Sequence, residues 1–388
     1  MENELFYKGN FGLERETLRV DKNGRLARTP HPFEENGEIT RDFCENQIEL
    51  VTPVCSSIDG VIRELNRLDE QVRAKLEEAE ESVWLYSNPP YFESEDEIPV
   101  ADFRGEHTGK RIYREQLERR YGKRLMLFSG IHFNFSFDEG YIKSICKDED
   151  TDEFRNSFYL RLYKQLSRHS WLLLLLTSAS PVYDRSFCED GAEGAVSGIY
   201  SSIRNSRNGY WNEFVPILKF DSLSDFTDSI QFYVDKGVLF SASEVYLPIR
   251  LKPRGVNKLE SFKDGISHIE LRMFDINPLE PLGINADDLR FAHLLMMYLS
   301  ELNDFEYTEQ MQIQAVRDHQ NAALLELDGV TVDGVPILEK AGQILDDMSL
   351  RFAGHDEALK VIGYEKNKLT DRLCKRIVPE EVYGQRVR

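Results

Sequence analysis

The run Gly12-Leu13-Glu14-Arg15-Glu16-Thr17-Leu18-Arg19-Val20 places two carboxylates two residues apart in a stretch that reads as a β-strand. Successive strand side chains alternate between faces, so Glu14 and Glu16 point the same way. Like charges about 4 Å apart repel by roughly 4 kcal/mol at an effective dielectric near 20. A buried face would therefore require a proton, a basic partner or a metal ion, whereas a solvated face requires nothing. The opposite parity carries Arg15, Thr17 and Arg19 rather than an apolar row. That predicts a strand near a sheet edge, or one covered by charged partners.

Further along, three segments alternate in the same manner. In Ser129–Phe137, Ile131, Phe133, Phe135 and Phe137 share one face, and His132, Asn134 and Ser136 the other. In Ser243–Lys252, Val245, Leu247, Ile249 and Leu251 oppose Glu244, Tyr246, Arg250 and Lys252. In His268–Phe274, Ile269, Leu271 and Met273 oppose His268, Glu270 and Arg272. Half-exposed antiparallel strands alternate in this way as a rule. These polar faces, however, carry histidine, tyrosine and glutamate–arginine pairs, and turned inward they would line a charged funnel. Asp42, Glu45 and Glu49 follow the first strand. Glu45 and Glu49 share a face in either a strand or a helix, while Asp42 needs a turn or bulge to join them. Several carboxylates with one histidine suit hard divalent cations, Mg²⁺ or Mn²⁺.

Helical periodicity fills much of the remainder. Ser57 reads as an N-cap for a helix reaching about Glu81; further helices are predicted over Lys110–Arg124 and residues 154–178, and from Asn285, another N-cap, to about Leu302. More polar helices continue beyond. Tyr183–Tyr210 is a long loop rich in Gly, Ser and Asn, and a candidate lid. Strands interspersed with helices, without a βαβ rhythm, predict an α+β fold with an antiparallel sheet. No linker or repeat divides the chain. One domain over 1–388 is expected, sheet-rich over 1–283 and helical over 284–388.

With 388 residues, 41% hydrophobic and 30% charged, the composition is that of a soluble globular protein. The net charge of −20 argues against nucleic acid and anionic membranes as partners. Five scattered cysteines without C-x-x-C spacing fit a reducing compartment, and Cys44 reads as a small buried residue. Met1–Glu4 shows no start of a signal peptide, and Trp171–Leu176 is too short an apolar run to span a membrane, so a cytoplasmic location is expected. Gly105-Glu106-His107-Thr108-Gly109-Lys110 has one residue too few between its glycines for a P-loop, with Arg111 in place of Ser or Thr. Any ATP would be bound through metals and arginines instead.

Several ordered motifs together resemble the glutamate–cysteine ligases of the bacterial (proteobacterial) type. They are Gly12–Val20, Ile39-Thr40-Arg41-Asp42-Phe43-Cys44-Glu45-Asn46-Gln47-Ile48-Glu49-Leu50-Val51-Thr52-Pro53, Tyr113-Arg114-Glu115, Ser129–Ser136, Ser178-Ala179-Ser180-Pro181, Val245-Tyr246-Leu247-Pro248-Ile249-Arg250, and Ile269–Arg272 leading to Asp275-Ile276-Asn277-Pro278. The resemblance implies a glutamine-synthetase-like fold, a curved antiparallel sheet forming a funnel-shaped site with helices behind. It also implies ATP-dependent joining of the glutamate γ-carboxylate to the amine of L-cysteine through a γ-glutamyl phosphate, giving γ-glutamylcysteine, the first intermediate of glutathione synthesis.

Carried over motif by motif, the resemblance makes Glu14, Glu16, Asp42, Glu49, His132 and Glu270 metal ligands. Arg204 and Arg272 would contact phosphate or glutamate. Phe43, Tyr113, Leu117, Tyr210 and Tyr246 would form the cysteine pocket, Arg204 and Tyr210 coming from Ser202–Tyr210. Leu125-Met126-Leu127-Phe128 stands where the family typically has a polar Gln-Thr pair near that pocket. Met126 therefore leaves the acceptor open between cysteine and another small amine or amino acid. A catalytically silent relative that binds glutamate or nucleotide is the other reading, against which the complete acidic set argues. No second, ATP-grasp domain is seen, so these residues alone are expected to stop short of glutathione.

Overall fold

The computed structural model describes residues 7–34, 36–103, 108–147, 150–379 and 382. The elements in chain order are β1 (Gly9–Asp21), β2 (Ile39–Thr40), β3 (Gln47–Val51), α1 (Ile58–Glu77), β4 (Glu81–Trp84), α2 (Thr108–Tyr121), β5 (Ile131–Phe137), α3 (Glu139–Ile145) and α4 (Thr151–Thr177). There follow β6 (Val182–Asp184), β7 (Ala195–Ser197), α5 (Leu223–Asp235), β8 (Ile249–Pro253), β9 (Ile266–Phe274), α6 (Ala286–Glu301), α7 (Glu309–Ala322), β10 (Thr331–Val332), β11 (Val335–Pro336), α8 (Ile337–Arg351) and α9 (Asp356–Thr370). The fold is α+β.

A seven-stranded antiparallel sheet runs in the order β2-β3-β1-β5-β9-β8. Strand β4 pairs with the far end of β1, Leu18–Asp21, beyond the reach of β5. Thirteen residues long, β1 is thus the organising strand, with neighbours on both sides. It is not a sheet edge. Its opposite parity is covered by charged partners instead: the fully buried Arg15 pairs with Asp69 of α1 and donates to Leu282 O at 3.2 Å. Buried Arg19 pairs with Glu81 at 2.5 Å and donates to Thr29 O and Glu45 O at 2.7 and 2.8 Å. Breaking one side of such a buried pair strands a charge and costs about 3–5 kcal/mol. We therefore expect Arg15→Ala to lose that much in urea unfolding, and Arg15→Met with Asp69→Leu to recover most of it. Equal loss in single and double variants would contradict the pairing.

Elsewhere this face is apolar. Phe11, Leu13, Ile48, Leu50, Phe133, Phe135, Ile269 and Leu271 belong to one buried cluster with α1, α4 and α6. Leu172 to Leu176 of α4 are at most 3% exposed, each leucine contributing about 2 kcal/mol of apolar burial. The predicted caps form: Ser57 Oγ accepts from Gly60 N at 3.1 Å, and Asn285 Oδ1 from Asp287 N at 2.8 Å. Helix α1 stops at Glu77, short of the predicted end, because Glu80 turns at φ 54° and Glu81 enters β4 opposite Asp21, its carboxylate pairing with Arg19. The polar tail of the chain is not helical throughout. Asp333-Gly334, both at positive φ, close the β10–β11 hairpin, the Asp-Gly pair that type I′ turns favour.

His293 of α6 lies in the same apolar cluster, with ring centroids 5.1 Å from Phe11 and 4.8 Å from Phe135. Burial pulls its pKa down to about 4, so the folded state holds it neutral. Stability from a depressed histidine is complete above its unfolded value near 6.5 and is lost as pH falls toward 4. At pH 5 the loss is about 2 kcal/mol. His293→Phe is expected to gain that much on the parent between pH 7 and pH 5 in urea melts; a pH-independent difference would contradict it.

The loop predicted over Tyr183–Tyr210 is largely built in. It contains the β6–β7 hairpin, Ser201 N donates to Ala323 O at 2.7 Å, and Ser201, Ser202, Asn205 and Ser206 are buried. Among the described residues no helix is long and apolar enough to cross a membrane. The P-loop-like stretch lies partly outside the described residues; Gly109 and Lys110 belong to α2.

Candidate active site

Register builds the site. Across the antiparallel pairs, Glu14 of β1 stands opposite His132 of β5, Asn134 opposite Glu270 of β9, and Glu270 opposite Arg250 of β8. On the other side Glu16 faces Glu49 of β3. A β-irregularity between Ile131 and Phe133 shifts the pairing at His132. The four polar faces thus converge on one cavity of about 350 Å³. All thirteen residues that the resemblance singled out line it: Glu14, Glu16, Asp42, Glu49, His132, Glu270, Arg204, Arg272, Phe43, Tyr113, Leu117, Tyr210 and Tyr246.

His132 is 4% exposed and central to the acidic set. Its Nδ1 lies 3.1 Å from Glu14 and 3.7 Å from Glu270, and its Nε2 lies 3.8 Å from Glu16. Glu14 also accepts from Asn134 Nδ2 at 3.2 Å. Ligand atoms of Glu14, His132 and Glu270 all lie within 4.8 Å of one another. Glu270, fully buried, is held by Arg272 and Lys252, each at 2.9 Å, with Arg250 at 4.0 Å.

The charges differ sharply in their compensation. Burial raises Glu270, but Arg272, Lys252, His132 and Arg250 together carry its pKa well below the usual range. Burial and the Glu270 charge raise Glu14, yet the His132 hydrogen bond with the His132 and Lys252 charges brings it below the ordinary value. Burial dominates at Glu16 and raises it. Burial, then the charges of Asp42, Glu14 and Glu16, drives Glu49 well up, with Arg114 offsetting part of this. The β1–β3 side of the cavity is therefore short of positive charge, whereas the β8–β9 side is not.

Arg204 donates to Phe274 O at 3.2 Å and Arg272 O at 3.1 Å. It lies against Gly130, where an added Cβ would sit 2.3 Å from its Nη2, so glycine makes the room. The cavity is also lined by an apolar group from a second buried cluster that includes Phe43, Leu117, Met126 and Tyr246. Tyr210 and Tyr246 pack with ring centroids 4.1 Å apart, and Tyr121 meets Tyr246 edge-on at 5.6 Å. Burial raises the hydroxyls of Tyr113, Tyr210 and Tyr246, so all three stay protonated near neutral pH. Cys44 is fully buried, its thiol pushed up to about 12 by burial.

Asp42 enters the cavity through a turn, paired with Arg114 at 3.2 Å. Glu45 does not join it. The turn closed by Gln47 N on Cys44 O breaks the parity between Glu45 and Glu49. The Glu45 carboxylate instead accepts from Arg41 Nη1 at 2.5 Å, His31 N at 3.2 Å and Asp102 N. The strand predicted from Ser243 begins only at Ile249; Ala242–Glu244 form a 3₁₀ turn, and Glu244 is buried against Arg120 at 3.3 Å. Tyr246 reaches the cavity from the segment before the strand. Arg114, Arg250 and Lys252 also line the site; the strand parity placed the latter two on the polar face, and Arg114 lay within a recognised motif.

An α+β protein whose antiparallel sheet bears a carboxylate–histidine–arginine cavity is the class that fold and site define. The chain belongs to the glutamate–cysteine ligase family, whose model matches residues 1–238 and 216–323. It is 37% identical over 371 residues to the glutathione biosynthesis bifunctional protein GshAB of Listeria monocytogenes, covering 89% of this chain and 48% of that protein. It is 35% identical over 412 residues to the protein of the same name from Clostridium perfringens, covering 97% and 53%. The chain thus spans about half the length of these curated relatives. The crystal structure of a bifunctional glutathione synthetase from Pasteurella multocida superposes with a TM-score of 0.84 at 27% identity, over 99% of this chain and 52% of that one. A glutamate–cysteine ligase structure from Francisella tularensis, in complex with AMP, shares the fold: TM-score 0.82 at 24% identity, over 98% and 89% of the two chains.

Proposed function

We propose that this chain joins the γ-carboxylate of L-glutamate to the amine of L-cysteine at the expense of ATP, as the γ-glutamylcysteine-forming step of glutathione synthesis. The observation that carries the reading is one cavity lined by metal-type carboxylates with His132, by Arg204 and Arg272, and by the apolar group of Phe43, Leu117 and Met126, in a chain of this family. We also take the 388 residues as one catalytic domain, because a single apolar cluster runs from Phe11 to Ile362.

Five carboxylates and one imidazole form a hard donor set, and the unanswered charge at Glu16 and Glu49 is what a divalent cation would neutralise. Glu14, Glu16, Asp42, Glu49, His132 and Glu270 would hold Mg²⁺ or Mn²⁺. When bound, such ions would neutralise the phosphate oxygens of ATP. The chain's own groups do the rest. Arg204 and Arg272 take the negative charge of phosphate or of the glutamate carboxylate. A γ-carboxylate oxygen of glutamate then attacks the terminal phosphorus of ATP and ADP departs. Phe43, Tyr113, Leu117, Tyr210 and Tyr246 seat the acceptor and exclude water from the acyl phosphate. The acceptor amine attacks the acyl carbon, phosphate leaves, and the amine proton is released.

Met126 lines the acceptor end and is buried, its carbonyl accepting from Gln47 Nε2 at 3.1 Å. This favours a second reading in which a different small amine is the acceptor. ADP release with glutamate, ATP and Mg²⁺ across a panel of amines decides between them. The proposal expects the fastest turnover with cysteine. A better amine would move the acceptor, and no turnover with any amine would leave only a binding protein.

A further inference from the structure

We propose that Asp275, the residue after β9, is a positioning residue that holds the Arg204 guanidinium in its working orientation; the inference rests on the ligase reading of the site. Asp275 is 1% exposed. Its Oδ2 accepts from Ala179 N at 2.9 Å and Ser180 Oγ at 2.8 Å, and its Oδ1 accepts from Ser202 Oγ at 2.9 Å and Asn205 Nδ2 at 3.4 Å. Arg204 Nη1 stands 3.9 Å from Oδ1, too far for a hydrogen bond and near enough for strong attraction in a buried setting.

Two carbonyls at the end of β9 already occupy one N–H on each terminal nitrogen of Arg204. Three of its five N–H groups remain for the cavity. The charges of Asp275 and of Glu16 both act on this cation, and Glu16 lines the cavity with it whereas Asp275 is not among the lining residues. With Asp275 neutralised, the balance tips toward Glu16. Arg204 would then close onto the acidic set and cover the anion site it should offer to substrate. Asp275 itself is fixed in depth, because Asn205 Oδ1 meets His319 Nε2 at 3.2 Å and His319 Nδ1 meets Ser170 Oγ at 2.9 Å. This relay ties Arg204 to α7 and α4, far behind the sheet's polar face.

Asp275→Asn keeps the shape: with its amide nitrogen at the Oδ1 position, the Ala179 and Ser180 bonds to the remaining oxygen persist and the Ser202 hydroxyl can reverse to accept. It removes the charge together with the long 3.4 Å contact to Asn205 Nδ2, a donor that still bonds Ser202 Oγ and Met273 O. The expected result is a rise of tenfold or more in KM for glutamate or ATP, whichever Arg204→Lys also raises, with a smaller fall in kcat. In the Arg204→Ala background the same change is expected to have less than twofold effect. Additive losses in the double variant, or an unchanged KM in Asp275→Asn, would overturn the proposal. Ser202→Ala retains the charge and loosens its aim, and is expected to shift the same parameter two- to fivefold; it serves as the readout should Asp275→Asn fold poorly. The unaltered chain separates the two levels of inference. If it does not turn over, the ligase reading fails, and the same cycle is read on glutamate and ATP affinity by calorimetry.

Discussion

Replacing Glu14 with glutamine is expected to lower turnover about a thousand-fold while leaving the chain folded. Divalent-ion catalysis of phosphoryl transfer supplies several kcal/mol, and each 1.4 kcal/mol is tenfold in rate. Glu14 is the carboxylate best prepared for that role: it lies beside His132 at 3.1 Å and Asn134 at 3.2 Å, in the group with Glu270, and is held ionised by His132 and Lys252 against its own burial. Glutamine keeps the volume and a hydrogen-bonding oxygen but removes the charge. The binding readout is independent of turnover. The unaltered chain should melt higher with ATP and Mg²⁺ together, because a ligand that binds only the folded state stabilises it by mass action. Glu14→Gln should abolish the magnesium-dependent part of that shift. An unchanged shift would count against Glu14 as a ligand.

Glu270→Ala is expected to fail in a different way, through stability as well as rate. The residue is fully buried, with Arg272 and Lys252 each at 2.9 Å and Arg250 at 4.0 Å. Removing it leaves three cations facing one another in a cavity with no anion at their centre. Stranding buried charge in this way costs about 3–5 kcal/mol. Urea unfolding should show that loss, and turnover should be undetectable even where the variant remains folded. Glu270→Gln should lose less stability, since the amide oxygen still accepts from Arg272 or Lys252, but should remain inactive. Retained activity in Glu270→Gln would contradict a role for its charge.

The strands and their polar faces were legible because period-two alternation survives in the amino-acid order. Phe133 and Phe135, or Ile269 and Leu271, declare an inner face unaided. What alternation cannot carry is register. The approach of Glu14 to His132, 118 residues apart, depends on how β1 and β5 pair. Arg15 and Arg19 show the same limit. Their need for charged partners followed from their parity, but Asp69 and Glu81 lie 54 and 62 residues away and could not be named. Parity also fails across turns. Glu45 and Glu49 share a periodic face on paper, yet the turn at Cys44–Gln47 sends the Glu45 carboxylate to Arg41, His31 and Asp102. In the cavity, Arg204 and Tyr210 come from an aperiodic segment that no helix or strand pattern could place, and only the motif resemblance singled them out. The Arg204–Asp275 contact depends on packing between α4, α7 and the end of β9, which local order does not encode.

The central claim is that the γ-carboxylate of glutamate becomes the acyl phosphate from which the amine displaces phosphate. Glutamate labelled with a heavy oxygen isotope in its γ-carboxylate, turned over with ATP, Mg²⁺ and cysteine, tests it most directly. Mass spectrometry of the released phosphate should find one labelled oxygen per turnover, because the attacking carboxylate oxygen leaves with the phosphate. Unlabelled phosphate accompanying the dipeptide would contradict the account.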